Sequence, residues 1–375
     1  MKRRNILKYT TIGAAGASLN ACRKKIPQPP SKSAQPIINW RMATSWDRYF
    51  EILFEGVETL CRSVSTMTEG RFTITPYPGG DLAPPLEVFD AVSTGTVECC
   101  HTNTFYSFQK SPALAFGTTL PFGLNAQQQN AWLYKGKGLD TLQNIFSEFN
   151  LIGFPAGNSG TQMGGWFRRE INTVADLNNL RMRLPGLGGQ IMSRLGVNVV
   201  TIAGQDIVPA LLEGSIDAVE WIGPYDDDTL GLQRAAPYYY YPGWWEPGTT
   251  YMVLVNQAEW NKLPSDYQAI FQTAAAEANL KTLARYNAVN GEILERFLLG
   301  GTKLMPFSSE ILDTARKTAF ELYEEIASQD ATFRDVYRQW QAFRHQLFEW
   351  NRVSTLSFTN FAYTTIDNQE IGNKQ

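Results

Sequence analysis

After position 36, hydrophobic and polar positions switch repeatedly between short β-like runs and longer helix-like stretches. Residues 37–44 read as a strand and 47–68 as a helix, with Asp47 placed to cap it and Gly70 to end it. A strand at 72–77, the turn Pro78-Gly79-Gly80-Asp81, a helix at 85–93 and a strand at 96–101 follow. Residues 127–149 are helical with a break between Gly136 and Gly138, 151–155 is a strand, and the alternation continues to Trp221. Past Trp244 and Trp245 a β-like run at 251–256 returns to the first lobe. A long helical region at 264–299, a strand at 303–307 and amphipathic helix from 308 to about 350 complete the pattern; the polar tail after Ser354 reads as irregular. This order predicts α/β lobes over an all-helical or all-β body.

An internal echo sharpens the picture. Residues 91–99 (Ala-Val-Ser-Thr-Gly-Thr-Val-Glu-Cys) and 210–218 (Ala-Leu-Leu-Glu-Gly-Ser-Ile-Asp-Ala) share Ala-x-x-x-Gly-[Ser/Thr]-[Val/Ile]-[Asp/Glu]-small. That pattern fits a helix ended by a glycine in the left-handed region, a hydroxyl turn, and a strand entering a sheet. It occurs once in each half, so two lobes of related design follow. The same offset sets His101 against Glu220 and Thr102 against Trp221. Ligands of open α/β sheets gather beyond the carboxyl ends of strands, which places these two ends across a cleft.

The first residues change the picture at one end only. Met1-Lys2-Arg3-Arg4-Asn5-Ile6-Leu7-Lys8, then a small and apolar stretch to Ala21, reads as an export signal close to the twin-arginine pattern, with Ile6 where Phe is usual. Leu19-Asn20-Ala21-Cys22 resembles a lipobox, apart from Asn20, which makes Cys22 a candidate for lipidation; a plain secretory signal with a chance cysteine is the alternative. Residues 23–36, basic and then rich in Pro, Ser and Gln, suit a flexible tether. Beyond them no apolar run is long enough for a membrane span.

Composition excludes more than it selects. A formal net charge of -3, with no basic cluster past the tether, argues against nucleic acid. Cys61, Cys99 and Cys100 are odd in number and read as small buried hydrophobes. With only two histidines, His101 and His345, an enzyme reading is thinly supplied. Gly157-Asn158-Ser159-Gly160-Thr161 misplaces the last glycine of a nucleophile elbow, and Pro185 to Ile191 lacks the third glycine of a dinucleotide fingerprint. Cys99, Cys100 and His101 are adjacent on a strand, so they point to opposite faces and cannot easily share a zinc ion. Asp226-Asp227-Asp228, at the start of a helix after Pro224, reads as capping and dipole-compensating charge. A hydrolase or lyase acting on a small carboxylate through paired carboxylates stays open as the alternative function.

Residues 157–167, 180–186 (Leu-Arg-Met-Arg-Leu-Pro-Gly) and 217–227, with Arg41-Met42-Ala43-Thr44-Ser45-Trp46 and Pro242-Gly243-Trp244-Trp245-Glu246-Pro247-Gly248, together resemble the extracytoplasmic solute receptors of tripartite ATP-independent periplasmic (TRAP) transporters, most closely their 2-oxoacid-binding branch. The likeness runs from about Trp40 to about Trp350. It implies a two-lobed periplasmic-binding-protein-like α/β fold with long C-terminal helices. Residues 37–155 and 248–307 would form the first lobe, 156–247 the second, and 308–375 the C-terminal helices and tail. The resemblance further implies a non-catalytic periplasmic receptor for a small 2-oxo acid such as pyruvate, working with TRAP membrane subunits. Arg183 would grip the ligand carboxylate, and Gln162, Glu220, Trp221 and Glu246 would hold a sodium ion, with calcium as the alternative. A guanidinium fork matches a carboxylate, and a hard cation wants oxygens, so the set is chemically coherent. Asn103 and Tyr106, beyond the first-lobe strand, are further candidates for ligand hydrogen bonds, and Trp221, Trp244 and Trp245 are expected near the cleft. A homodimer through the C-terminal helices is one outcome the resemblance allows; a lipid on Cys22 would hold the receptor to a membrane.

Overall fold

The computed structural model describes residues 35–366; the export signal, Cys22 and all but the last two tether residues lie outside them. The chain runs through β1 (Ile38–Thr44), α1 (Glu51–Met67), β2 (Phe72–Tyr77), α2 (Val88–Ser93), β3 (Cys99–Thr102), α3 (Ala126–Lys135), α4 (Gly138–Ser147) and β4 (Leu151–Asn158). It continues with β5 (Trp166–Phe167), β6 (Arg181–Arg183), α5 (Gly186–Arg194), β7 (Asn198–Val200), α6 (Ile207–Leu212), β8 (Ala218–Val219), α7 (Pro224–Leu230), β9 (Tyr238–Tyr241) and β10 (Thr250–Asn256). The C-terminal part holds α8 (Gln257–Lys262), α9 (Ser265–Leu299), β11 (Lys303–Pro306), α10 (Ser309–Gln329), α11 (Ala331–Asn351) and α12 (Ser357–Ile366).

Two sheets organise these elements. The first has the order β2-β1-β3-β10-β4 and the second β11-β9-β5-β8-β6-β7. Two short crossings join them, one from β4 to β5 and one from β9 to β10, where β10 returns antiparallel to β3 and β4; a third, long passage through α8 and α9 leads from β10 to β11 in the second sheet. The return strand of the sequence pattern is therefore present where it was expected. Cys99 and Cys100, neighbours on β3, fall in different hydrophobic cores on the two sides of the sheet, and all three described cysteines are buried and free.

The echo is a structural repeat. Gly95 (φ 76°) and Gly214 (φ 74°) both take the left-handed conformation that favours glycine, closing α2 and α6. The following turns match: Thr96 N and Val97 N donate to Ala91 O at 2.8 and 3.2 Å, and Ser215 N and Ile216 N to Ala210 O at 3.0 and 3.2 Å. In each half an arginine on the adjacent strand clasps the acid of the motif. Arg41 reaches Glu98 through Nε (3.1 Å) and Nη2 (2.7 Å), and Arg181 reaches Asp217 through Nε (2.9 Å) and Nη2 (2.6 Å).

Helix α9 buries Tyr267, Phe271, Ala274, Ala278, Tyr286 and Phe297. It packs on α1 and β4 of the first sheet's side and on α7, which follows β8 of the second. α10 lies against α5 and α11 against α3 and α4, so the C-terminal helices also serve both sides. Asp330 separates α10 from α11 by accepting from Phe333 N at 2.7 Å, an N-cap that the continuous sequence pattern had hidden.

Five expectations are corrected. Asp47 does not cap α1: its carbonyl accepts from Phe50 N in a preceding turn, and the helix begins at Glu51 after the buried Phe50, with no side-chain cap. The strand at 303–307, assigned to the first lobe, pairs in parallel with β9 in the second sheet, where Phe307 stacks on Tyr240. α2 starts at Val88 rather than 85 and β3 at Cys99 rather than 96. The chain after Ser354 is helical, not irregular: a π-helical turn at Arg352–Leu356 leads from α11 into α12, with Leu356, Phe358 and Phe361 exposed. Among the described residues no helix is long and apolar enough to cross a membrane.

Candidate functional site

The site is built where the two chain crossings pass between the ends of β3, β6 and β8. The crossings are tied to each other: Gln162 N donates to Glu246 O (3.1 Å), Gly243 N to Gln162 O (3.0 Å) and Ser159 N to Thr249 O (3.1 Å). Gly165 (φ 81°) lets the first crossing pass so near β8 that a Cβ there would lie 2.3 Å from the Val219 carbonyl oxygen. Any side chain at 165 would push the strand end that carries Glu220.

Arg183 closes β6 and is 1% exposed. Its Nη1 donates to the Glu220 carbonyl (2.7 Å) and to Glu220 Oε2 (3.0 Å), its Nε to Ile202 O (3.4 Å), and its guanidinium lies 5.0 Å from the Trp221 ring centre. Nη2 has no hydrogen-bonding partner among the described residues. Holding such a group in a dry interior costs several kcal/mol unless its partners are well placed.

Glu220 and Glu246 are both buried. Burial, reinforced by Glu246 and opposed by Arg183, holds the Glu220 carboxyl well above the usual carboxylate range. Burial likewise lifts Glu246 to about 7, against the hydrogen bond from Thr249 Oγ1 to its Oε2 at 2.7 Å. Gln162 donates its amide to Ser159 Oγ (3.1 Å), which leaves its carbonyl oxygen Oε1 buried without a partner; Glu220 Oε1 and Asn103 Oδ1 are in the same condition.

Asn103, Tyr106, Gln162, Arg183, Glu220, Trp221 and Glu246 all line one cavity with about 240 Å³ of empty space. Every binding and ion-ligating position expected from the sequence within the described residues is thus brought together. Trp46, Phe105, Ile222 and Tyr251 complete the wall. Trp46 lay within a quoted motif, while Tyr251 had only its place at the start of a return strand as a signal. Trp244 and Trp245 do not reach the cavity: they stack on Phe122 and pack on Phe307, so Trp46 and Trp221 are its reporters.

The acidic run after Pro224 is not surface capping charge. Asp227 is buried and accepts from Trp166 Nε1 (2.9 Å), Tyr239 Oη (2.7 Å) and Ile222 N (3.3 Å), while Asp226 is fully buried and lifted to about 7 by burial. Asp228 alone reaches the surface, paired with Arg296.

Chemically, the cavity offers one guanidinium with a free face, two carboxylates and unpaired amide oxygens. Unpartnered buried oxygens cost about 1–3 kcal/mol each, a cost that a bound group supplying the missing partners would offset. Oxygens alone suit a hard cation. The histidines do not serve the site. His101 Nδ1 accepts from Trp46 Nε1 (2.7 Å), Nε2 faces Ala156 O (3.3 Å), and burial lowers the ring to about 4, so it is neutral; His345 lies exposed on α11. Arg41 and Arg181, the arginines nearest in the motifs, are spent on Glu98 and Asp217 at the surface.

Comparison with known proteins agrees with this geometry. Residues 45–330 match the model of the bacterial extracellular solute-binding proteins, family 7. The chain is 56% identical over 365 residues, 96% of its length and 99% of the relative's, to a monocarboxylate 2-oxoacid-binding periplasmic protein of Nostoc sp.. A TRAP transporter solute-binding protein of Bordetella bronchiseptica, solved as a mixed-occupancy dimer with copurified calcium and picolinate, superposes with a TM-score of 0.88 at 41% identity, covering 89% of this chain and 100% of that one. A TRAP periplasmic solute-binding protein of Pseudoalteromonas atlantica with bound sodium and pyruvate gives a TM-score of 0.84 at 32% identity, covering 86% and 98%. The chain belongs to the bacterial extracellular solute-binding proteins of family 7.

Proposed function

We propose that this protein is a periplasmic receptor, not an enzyme, that closes on a small monocarboxylic 2-oxo acid together with a cation and delivers it to a TRAP-type membrane transporter. The observation that carries this reading is the cavity itself, where Arg183, Gln162, Glu220 and Glu246 converge with unpaired oxygens and an unpaired guanidinium nitrogen. Arg183 would hold the carboxylate through parallel charge-assisted bonds, each worth on the order of 1.5–3 kcal/mol. Gln162, Glu220, Glu246 and the main chain at Trp221 would hold the ion, whose charge offsets the repulsion between two buried carboxylates and an anionic ligand. Asn103 and Tyr106 would bond the ligand from the first-sheet side. The neighbours carrying pyruvate with sodium and picolinate with calcium support a cation, with sodium as our assignment. The lobes would be the two sheets with their helices, closing about the two crossings.

The test uses the mature protein, stripped of endogenous ligand by partial unfolding. Pyruvate or a branched 2-oxo acid should change the fluorescence of Trp46 and Trp221 saturably, more tightly with sodium or calcium than without, and the acid should be recovered unchanged. Absence of binding to every 2-oxo acid, or conversion of the acid, would sink the reading. Sedimentation of the same sample reports whether the exposed apolar face of α12 pairs two copies, and the mass of the membrane-extracted chain reports a lipid on Cys22.

A further inference from the structure

We propose, resting on the receptor reading above, that Phe105 is the specificity-determining partition of the site: its ring limits the ligand's side chain to a few carbons. Phe105 lies in the short 3-10 helix Thr104–Ser107 that follows β3, and it is 5% exposed. Phe105 lines two spaces. On one side is the inner cavity shared with Arg183 and Glu246; on the other is an outer groove with about 780 Å³ of empty space. Only Phe105 and Tyr106 line both.

The other cavity walls give a longer ligand nowhere to go. Trp46 is backed by His101 and Tyr251, at ring distances of 6.0 and 5.3 Å, and Trp221 by Phe50 at 4.8 Å. The polar walls carry the charged grip. Beyond Phe105, in contrast, the groove is of mixed character: Phe108, Leu184, Pro185 and Val199 give it an apolar side along which an alkyl chain could lie, facing polar groups such as Gln190 and Thr201. The ring is also held in place from the second-sheet side. Gly186, the first residue of α5, sits so close that a Cβ there would lie 3.3 Å from Phe105 Cγ. Phe105 thus spans the gap between the segment after β3 and the start of α5, and a long ligand has to displace it and lose that packing.

Removing the ring joins cavity and groove. Each methylene newly buried is worth about 0.8 kcal/mol, or roughly fourfold in affinity, so the gain accumulates with chain length. The experiment is a fluorescence titration of stripped protein with pyruvate and with 2-oxooctanoate, in the parent, Phe105→Leu and Phe105→Ala, with a thermal melt of each to show that it folds. The parent should prefer pyruvate by at least about tenfold. Phe105→Ala should lower that ratio by at least about tenfold, weakening pyruvate only several-fold while strengthening 2-oxooctanoate. Phe105→Leu, which keeps most of the volume, should fall between. A parent that binds pyruvate but shows the same ratio in both variants, or already takes 2-oxooctanoate as tightly, overturns the partition alone. A parent that binds neither acid overturns the receptor reading and this inference with it.

Discussion

The two copies of the helix-turn-strand unit, α2–β3 and α6–β8, share a scaffold and differ in charge. Both end their helix on a left-handed glycine, make the same turn, and present an acid to an arginine on the neighbouring strand. Past that point they part. The first copy leads to His101, kept neutral by burial, and then to Ser107; at the same offset the second leads to Glu220 and Asp226, both buried carboxyls. Two residues beyond the clasping arginines, β1 carries Ala43 where β6 carries Arg183. The repeat supplies position, and the chemistry is placed on one side of it. The first sheet's side lines the cavity with neutral hydrogen-bonding groups and an aromatic wall, and the second's side with the buried pair Arg183 and Glu220.

The sharpest way to break that contrast is to remove Arg183. Arg183→Met should lower affinity for pyruvate at least about 100-fold by leaving the ligand's charge unpaired, and should destabilise the protein by about 3–5 kcal/mol by leaving Glu220 buried without its partner. Arg183→Lys keeps the charge and loses the planar fork, so its loss should be intermediate. Fluorescence titration and a denaturant midpoint read the two effects. Equal binding by Arg183→Lys and the parent would refute a bidentate grip, and neither Arg41 nor Arg181 is free to replace it.

Next in size is a pH effect that the second copy carries and the first does not. Asp226 is lifted to about 7 in the folded protein, against about 3.9 for an unfolded aspartate. Between these values the folded chain keeps a proton that the unfolded chain has released. Its contribution is therefore complete below about pH 4 and is lost as pH rises towards 7, at up to about 1.4 kcal/mol per pH unit. Asp226→Asn should make the slope shallower by that share, leaving the shares of the raised Asp227, Glu220 and Glu246, and Ser107→Ala, its counterpart, should leave it intact. Urea midpoints from pH 4 to pH 8 decide the matter; parallel curves for the parent and Asp226→Asn would show that Asp226 does not titrate there. Glu220→Gln, smaller again, should weaken pyruvate about tenfold at low sodium, the deficit shrinking as sodium is raised. A deficit independent of sodium would assign Glu220 to holding Arg183 alone.

What was legible in the sequence had local causes. The glycine turns of the echo, the break between α3 and α4, and the return strand β10 are each written in a few adjacent residues. The site residues were legible because they sit in motifs whose order matched a family; no periodicity would have joined Gln162 to Glu246, which meet only where the crossings pair. What was missed depends on packing at a distance. β11 looks like a first-lobe strand until Phe307 finds Tyr240, and Asp226 and Asp227 look like surface charge until α7 is folded under α9. Phe105 gave no signal, since its role exists only once Gly186 lies against it.

The smallest effect tests whether the repeat is equivalent where it should be. Arg41 and Arg181 are both about half exposed, with side-chain exposures of 46% each, and their pairs with Glu98 and Asp217 face solvent. Exposed pairs contribute little, and salt screens them. Arg41→Gln and Arg181→Gln should each lower the melting midpoint by about one to two degrees, by similar amounts, with the difference fading at high salt. Neither should change pyruvate affinity by more than about twofold, because each side chain points away from the cavity that Arg183 lines. The informative failure is asymmetric. Both arginines also donate their main-chain N–H to the acid they clasp, Arg41 to Glu98 Oε2 at 2.7 Å and Arg181 to Asp217 Oδ2 at 3.2 Å, but only Arg181 does so two residues before Arg183. If Arg181→Gln weakened the ligand while Arg41→Gln did not, the clasp in the second half would be holding the grip in register, and the two copies would differ in their scaffold as well as in their charge.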